Sequence, residues 1–216
     1  MIGKLVEHIK SIPMGEENMH DKPMIFVFAG ANGSGKSTMT DLILPTLGSI
    51  RYINADNIKA SSSLSDMDAA KLAESLREES LIERCSFAFE TVMSTDRNLN
   101  LLKRAKKLGY FVKVVYVVTE SPDINKVRVS SRADSGGHSV PEDKIVSRYY
   151  KSQSLMPEVI GVSDICHIYD NSDDRAVRIF KKRKEECFAD YTSYWTKERI
   201  TTLTGCRNLV EKKLNS

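Results

Sequence analysis

This sequence predicts an α/β fold: a mostly parallel five-stranded sheet with helices on both faces, extended at the C-terminal end by a small hairpin-and-helix appendage. Three observations carry that expectation. Met24-Ile25-Phe26-Val27-Phe28-Ala29 reads as a buried strand and runs straight into Gly30-Ala31-Asn32-Gly33-Ser34-Gly35-Lys36-Ser37-Thr38, a glycine-rich turn that opens a helix. Segments of strand and helix character then alternate five times along the chain. Finally, Tyr110 to Val118 is a nearly unbroken β-branched and aromatic run, as expected of a central parallel strand covered on both faces.

The elements follow in order. Residues 1–22 read as a short amphipathic helix, Met1 to Ile12, and a polar linker. The domain proper spans 23–174, beginning with the first strand, Ile25 to Ala29. A helix from Lys36 ends near Pro45, which cannot extend it, and Gly48. Ile50 to Ala55 is a short second strand closing on Asp56. After the turn Ser61-Ser62-Ser63, a helix runs from about Asp66 to Arg84, with Ala69, Leu72, Ala73, Leu76, Leu81 and Ile82 at roughly helical spacing. Ser86 to Val92 is the third strand; Ser94-Thr95-Asp96 caps a helix that stops at Gly109. Behind the fourth strand, Pro122 sits at the first position of another helix. A break at Asp134 to Ser139 separates it from a helix beginning at Pro141, and Ile165 to Tyr169 is the fifth strand. Residues 175–216 form the appendage on the same domain: a hairpin from Val177 to Ala189 turning at Lys184-Glu185, then a helix from Thr192 to about Leu203.

Composition narrows the function classes. At 216 residues the chain suits one domain with a real core. A net charge of +3 is too small to argue for nucleic acid, and the run Arg175, Arg178, Lys181-Lys182-Arg183-Lys184 reads as a solvated face. Cys85, Cys166, Cys187 and Cys206 are scattered, with no C-x-x-C pair, which suits neither zinc nor a disulfide framework. No apolar signal core and no stretch of membrane-spanning length is present, so the expected location is the cytoplasm.

Gly30, Gly35, Lys36 and Ser37 satisfy G-x-x-x-x-G-K-[ST], the phosphate-binding P-loop. Glycines let the backbone curl so that successive N–H groups of residues 30–38 face inward at a helix N-terminus, a nest for phosphate oxygens. Lys36 is positioned to reach the β- and γ-phosphates of ATP, and the Ser37 hydroxyl to hold Mg2+. The fold is therefore of the P-loop NTPase and kinase kind.

In such a sheet, ligands bind beyond the C-terminal ends of the strands. The polar residues there are Asp56, Glu90 with Thr91, Thr119-Glu120 and Asp170-Asn171. Asp56 is the candidate general base, since transfer of phosphate to an alcohol needs a carboxylate to take the hydroxyl proton. The alternative for it is a helix cap in Asn54-Ala55-Asp56-Asn57. Glu90 is a candidate for binding a substrate hydroxyl or for holding the metal through water, and Thr91 for substrate binding. Arg128 and Arg132 lie on one helical face and, with Arg148, flank the Gly136-Gly137-His138 break. Arginines there can close over a γ-phosphate, and His138 can touch substrate or cap the loop. Asn125-Lys126-Val127-Arg128 only superficially matches the guanine-reading N-K-x-D, because position 128 is arginine. Adenine is thus the expected base, placed near Asn171 and Ser172.

With these residues in place the chain resembles the zeta toxin family of P-loop kinases over roughly Met24 to Ser172. The matching pieces are the P-loop, Asn54-Ala55-Asp56, Phe89-Glu90-Thr91, Gly109-Tyr110, Arg128 to Arg132, Gly136 to Pro141, Arg148-Tyr149 and Tyr169-Asp170-Asn171-Ser172. The resemblance implies an ATP-dependent kinase acting on a sugar hydroxyl of UDP-N-acetylglucosamine. By it, Asp56 is the base, Glu90 contacts substrate, and Arg128, Arg132 and Arg148 are the lid arginines. It also implies an antitoxin protein as partner. Two other readings stay open on the residues: a polynucleotide 5′-hydroxyl kinase, which needs a basic groove, and a nucleotide-binding regulatory module with incidental ATPase activity.

Overall fold

Strand β1 (Met24–Ala29) lies in the middle of the sheet because every residue of it after Met24 is buried, and only a central strand offers cover on both faces. The computed structural model describes residues 22–134, 136 and 139–214. The expected N-terminal helix and His138 lie outside them. After β1 come α1 (Lys36–Ile43), β2 (Arg51–Ile53), α2 (Ala55–Ala60), α3 (Asp66–Ile82), β3 (Phe87–Thr91), α4 (Asp96–Lys107) and β4 (Phe111–Val118). Then follow α5 (Pro122–Asp134), α6 (Glu142–Val162), β5 (Ile165–Asp170), β6 (Val177–Arg183), β7 (Glu186–Ala189), α7 (Lys197–Thr204) and β8 (Leu209–Glu211).

Among the described residues the sheet has eight strands, not five, in the order β2-β3-β1-β4-β5-β6-β7-β8. The first five are parallel; β6 and β7 add antiparallel, and β8 pairs parallel to β7. The expected hairpin is therefore a continuation of the main sheet. β8 has three residues, too few for any periodicity to mark it. The last helix starts at Lys197, capped by Thr196, because residues 192–196 form a turn held by Thr192 Oγ1 and the Trp195 N–H.

Alternation along β1 divides the core. Ile25, Val27 and Ala29 face a large cluster with Leu81 of α3, Leu99 and Leu102 of α4 and Met156 and Ile160 of α6, whereas Phe26 and Phe28 face Met39 and Ile43 of α1. Alternation also splits the basic run. Arg178 and Lys182 point inward, Lys182 donating to the Ile160 carbonyl (2.7 Å) and the Ser163 carbonyl (2.9 Å) at the end of α6. The solvated-face expectation fails for those two residues, since a strand turns every second side chain to the core. All four cysteines are free; Cys187 and Cys206 bring their sulfurs to 3.0 Å. No described helix is long and apolar enough to cross a membrane.

Candidate active site

The chain leaves β1, passes to β2 and β3 on one side, then crosses β1 to place β4 on the other. The crevice above β1 is where an open parallel sheet binds its ligand. Register decides what stands beside the P-loop. Phe28 pairs with Glu90 and Ala29 with Thr91, so the polar end of β3 is level with the start of the loop. The Gly30 N–H continues that ladder by donating to the Thr91 carbonyl at 3.2 Å.

The loop closes on itself through the Ser34 N–H and the Ala31 carbonyl (3.1 Å). It enters α1 through Gly35, which provides no side-chain cap. The first amides of α1 therefore have no capping oxygen, and with the helix dipole they suit an anion. The Ser34 hydroxyl is buried with no hydrogen-bond partner among the described residues, a further donor held within the loop. These features fit a polyphosphate.

Lys36 carries the clearest electrostatic signature. Loss of water around its amine lowers its pKa below the ordinary 10.5. Glu90 and Asp56 act against that shift, and Arg132 and Arg148 act with it. Four of the side chains singled out from the sequence thus converge on one amine from β3, α2, α5 and α6.

A chain of hydrogen bonds joins the acidic members. The Ser37 hydroxyl donates to Glu90 Oε2 and the Tyr52 hydroxyl to Glu90 Oε1, each at 2.9 Å. Asn54 Nδ2 donates to the Tyr52 oxygen at 2.7 Å, while Asn54 Oδ1 accepts from the Asp56 N–H at 2.7 Å. Asn54, not Asp56, is the cap of α2, so the Asp56 carboxylate stays exposed in the first turn and makes no side-chain hydrogen bond among the described residues. Burial raises the Tyr52 pKa, and the adjoining Glu90 charge raises it further, so the phenol stays protonated and donates. Tyr52 was not legible as a site residue; its only mark is a place two residues before the Asn54 cap.

The remaining candidates divide. Arg148 Nη1 donates to Asn32 Oδ1 at 3.1 Å and stands at the loop. Arg132 is exposed on the last turn of α5. Arg128, by contrast, donates to the carbonyls of Asn171 (2.7 Å) and Ser172 (3.1 Å) and fastens α5 to the loop after β5. Asn171 Nδ2 in turn donates to the Ser34 carbonyl at 2.9 Å. The Thr91 hydroxyl accepts from the Met93 N–H (2.9 Å) and Asn98 Nδ2 (2.8 Å), which shapes the turn into α4. The Ser37 hydroxyl and Glu90 carboxylate are hard oxygen donors side by side, which suits Mg2+ shared with phosphates. Among the described residues no group of three or more His, Cys, Asp or Glu side chains could enclose a metal by itself.

The family model of the zeta toxin matches residues 15–185, most of the chain and all of this site. The chain belongs to the zeta toxin family. It is thereby a P-loop kinase that uses ATP. An uncharacterised protein of Haemophilus influenzae strain Rd is 30% identical over 129 residues, covering 56% of this zeta-family chain and 89% of that protein. Among solved structures, one from the PezAT chromosomal toxin–antitoxin system of Streptococcus pneumoniae superposes with a TM-score of 0.60 at 17% identity, covering 94% of this chain and 87% of that one. A chain of the AvrRxo1-ORF1:AvrRxo1-ORF2 complex with ATP gives 0.63 at 16% identity, covering 87% and 68%. At those identities the two structures speak for a shared fold alone.

Proposed function

We propose that this protein transfers the γ-phosphate of ATP to a hydroxyl of a nucleotide sugar, with UDP-N-acetylglucosamine as the first acceptor to test. The observation that carries the reading is the unbroken contact path from the P-loop Ser37 through Glu90, Tyr52 and Asn54 to Asp56. It ends on the Asp56 N–H and so fixes the first turn of α2 relative to the phosphate-binding hydroxyl, while the Asp56 carboxylate is engaged in no cap or ion pair among the described residues. The Asp56 carboxylate takes the proton of the acceptor hydroxyl as its oxygen bonds to the γ-phosphorus. The bond from that phosphorus to the β–γ bridging oxygen breaks, and ADP leaves with the electron pair. Lys36, Arg132 and Arg148 hold negative charge on the phosphoryl group. Ser37 and Glu90 are the residues that would hold Mg2+, which when bound neutralises phosphate charge. Arg128, Asn171 and Ser172 form the wall on the nucleobase side. A zeta-type kinase in the cytoplasm fits a protein antitoxin as partner, in line with the toxin–antitoxin system to which one similar structure belongs.

Incubation with γ-labelled ATP and UDP-N-acetylglucosamine, followed by mass spectrometry, tests the acceptor. Asp56→Asn is expected to bind ATP as the parent does and to lose transfer by a factor of about 10²–10⁴. Full turnover in Asp56→Asn removes the base assignment. Label appearing instead on a polynucleotide 5′ end, or on nothing in a whole metabolite extract, removes the nucleotide sugar.

A further inference from the structure

Asn125 belongs to the segment Asn125-Lys126-Val127-Arg128, which is no guanine reader, yet its side chain is fully buried on the first turn of α5. Its Nδ2 donates to the main-chain carbonyl of Asn32 at 2.7 Å, a contact spanning 93 residues of sequence. Its Oδ1 accepts from the Thr119 hydroxyl. A carbonyl oxygen only accepts, so the amide orientation follows from chemistry: nitrogen to the P-loop, oxygen to Thr119. The backbone is equally close, since a Cβ on Gly33 would lie 2.5 Å from the Asn125 carbonyl oxygen.

In a trans peptide the C=O and the following N–H point in opposite directions. Anchoring the Asn32 carbonyl on α5 therefore turns the Gly33 N–H away from α5. Asn171 does the same two residues later, holding the Ser34 carbonyl and so turning the Gly35 N–H. The far side of the Asn32–Gly33 peptide is also held, because Arg148 donates to the Asn32 side chain. Two asparagines from distant parts of the chain thus grip alternate peptides of one loop.

We propose that Asn125 is a positioning residue of the phosphate site: its carboxamide aims the Gly33 N–H into the hollow and keeps Asn32 where Arg148 meets it. This rests on the phosphotransfer reading above. The test is calorimetric titration of MgADP into Asn125→Leu, which keeps the branched outline and the number of heavy atoms and removes both hydrogen bonds. Tyr110→Phe is the control, since it removes a buried hydroxyl that donates to the Ser80 carbonyl (2.9 Å) at the opposite end of the sheet. Asn125→Leu is expected to weaken MgADP about tenfold or more, and Tyr110→Phe to stay within about twofold while its melting temperature also falls. Should Asn125→Leu not fold, Thr119→Val, which frees the carboxamide to rotate, is expected to weaken MgADP about threefold with native near-ultraviolet dichroism. Unchanged MgADP affinity in the folded variant, or equal weakening in Tyr110→Phe, overturns the role of Asn125 alone. A parent protein that binds no MgADP overturns the phosphotransfer reading and this inference with it.

Discussion

Substituting Gly33 by alanine tests how tightly the P-loop is seated on α5. Gly33 has φ +79°, and the added Cβ would lie 2.5 Å from the Asn125 carbonyl oxygen and 2.9 Å from its Cα, both backbone atoms. Gly109, after α4, has φ +80°, and its Cβ would meet only the far end of the Arg84 side chain at 4.0 Å. The left-handed backbone costs an alanine about 1–2 kcal/mol at either position, and the entropy that alanine removes from the unfolded chain is the same for both. What differs is the collision, worth about 1–3 kcal/mol when a packed neighbour cannot yield. For a chain of this size, 1 kcal/mol moves the melting temperature by about 2–4 °C. Gly33→Ala should therefore melt about 2–12 °C below Gly109→Ala. Differential scanning fluorimetry with and without MgATP reads both effects. At a hundredfold excess over Kd, MgATP stabilises the parent by about 2.7 kcal/mol. Gly109→Ala should keep that rise and Gly33→Ala should lose most of it. Coincident melting of the two variants, with the full MgATP shift in each, refutes the close seating.

Other expectations follow from the charges around the loop. The Lys36 pKa is lowered in the folded apo protein, so between that value and 10.5 the unfolded chain holds a proton that the folded chain releases. The contribution of Lys36 to apo stability therefore rises with pH through that window, while MgATP affinity, which needs the ammonium, falls. Melting and titration across pH should show the two opposite slopes, and Lys36→Met should abolish both. Glu90→Gln leaves one acceptor for two hydroxyl donors, Ser37 and Tyr52. At this partly exposed site it should cost about 1–2 kcal/mol of stability, and metal-dependent transfer should fall far more than ATP binding. An equal loss of both would place Glu90 on the nucleotide instead.

How much of this was legible in the sequence depends on how local the feature is. The strand into Gly30, the glycine spacing to Lys36 and Ser37, and the order of strands and helices are properties of contiguous backbone, and hydrophobic period with turn chemistry determines them. In a parallel sheet the strand ends must share a rim, so Asp56 and Glu90 could be nominated with no knowledge of partners. The structure brings both within electrostatic reach of Lys36. Only tertiary structure decided the couplings. Tyr52 meets Glu90 across 38 residues, Asn125 meets Asn32 across 93, and Arg128 turns to the carbonyls after β5 although its spacing equally suits a phosphate. The inward turn of Lys182 and the eighth strand were hidden for the same reason. A hydrogen bond between distant residues leaves no period or local propensity behind; it exists only once the sheet register brings donor and acceptor together.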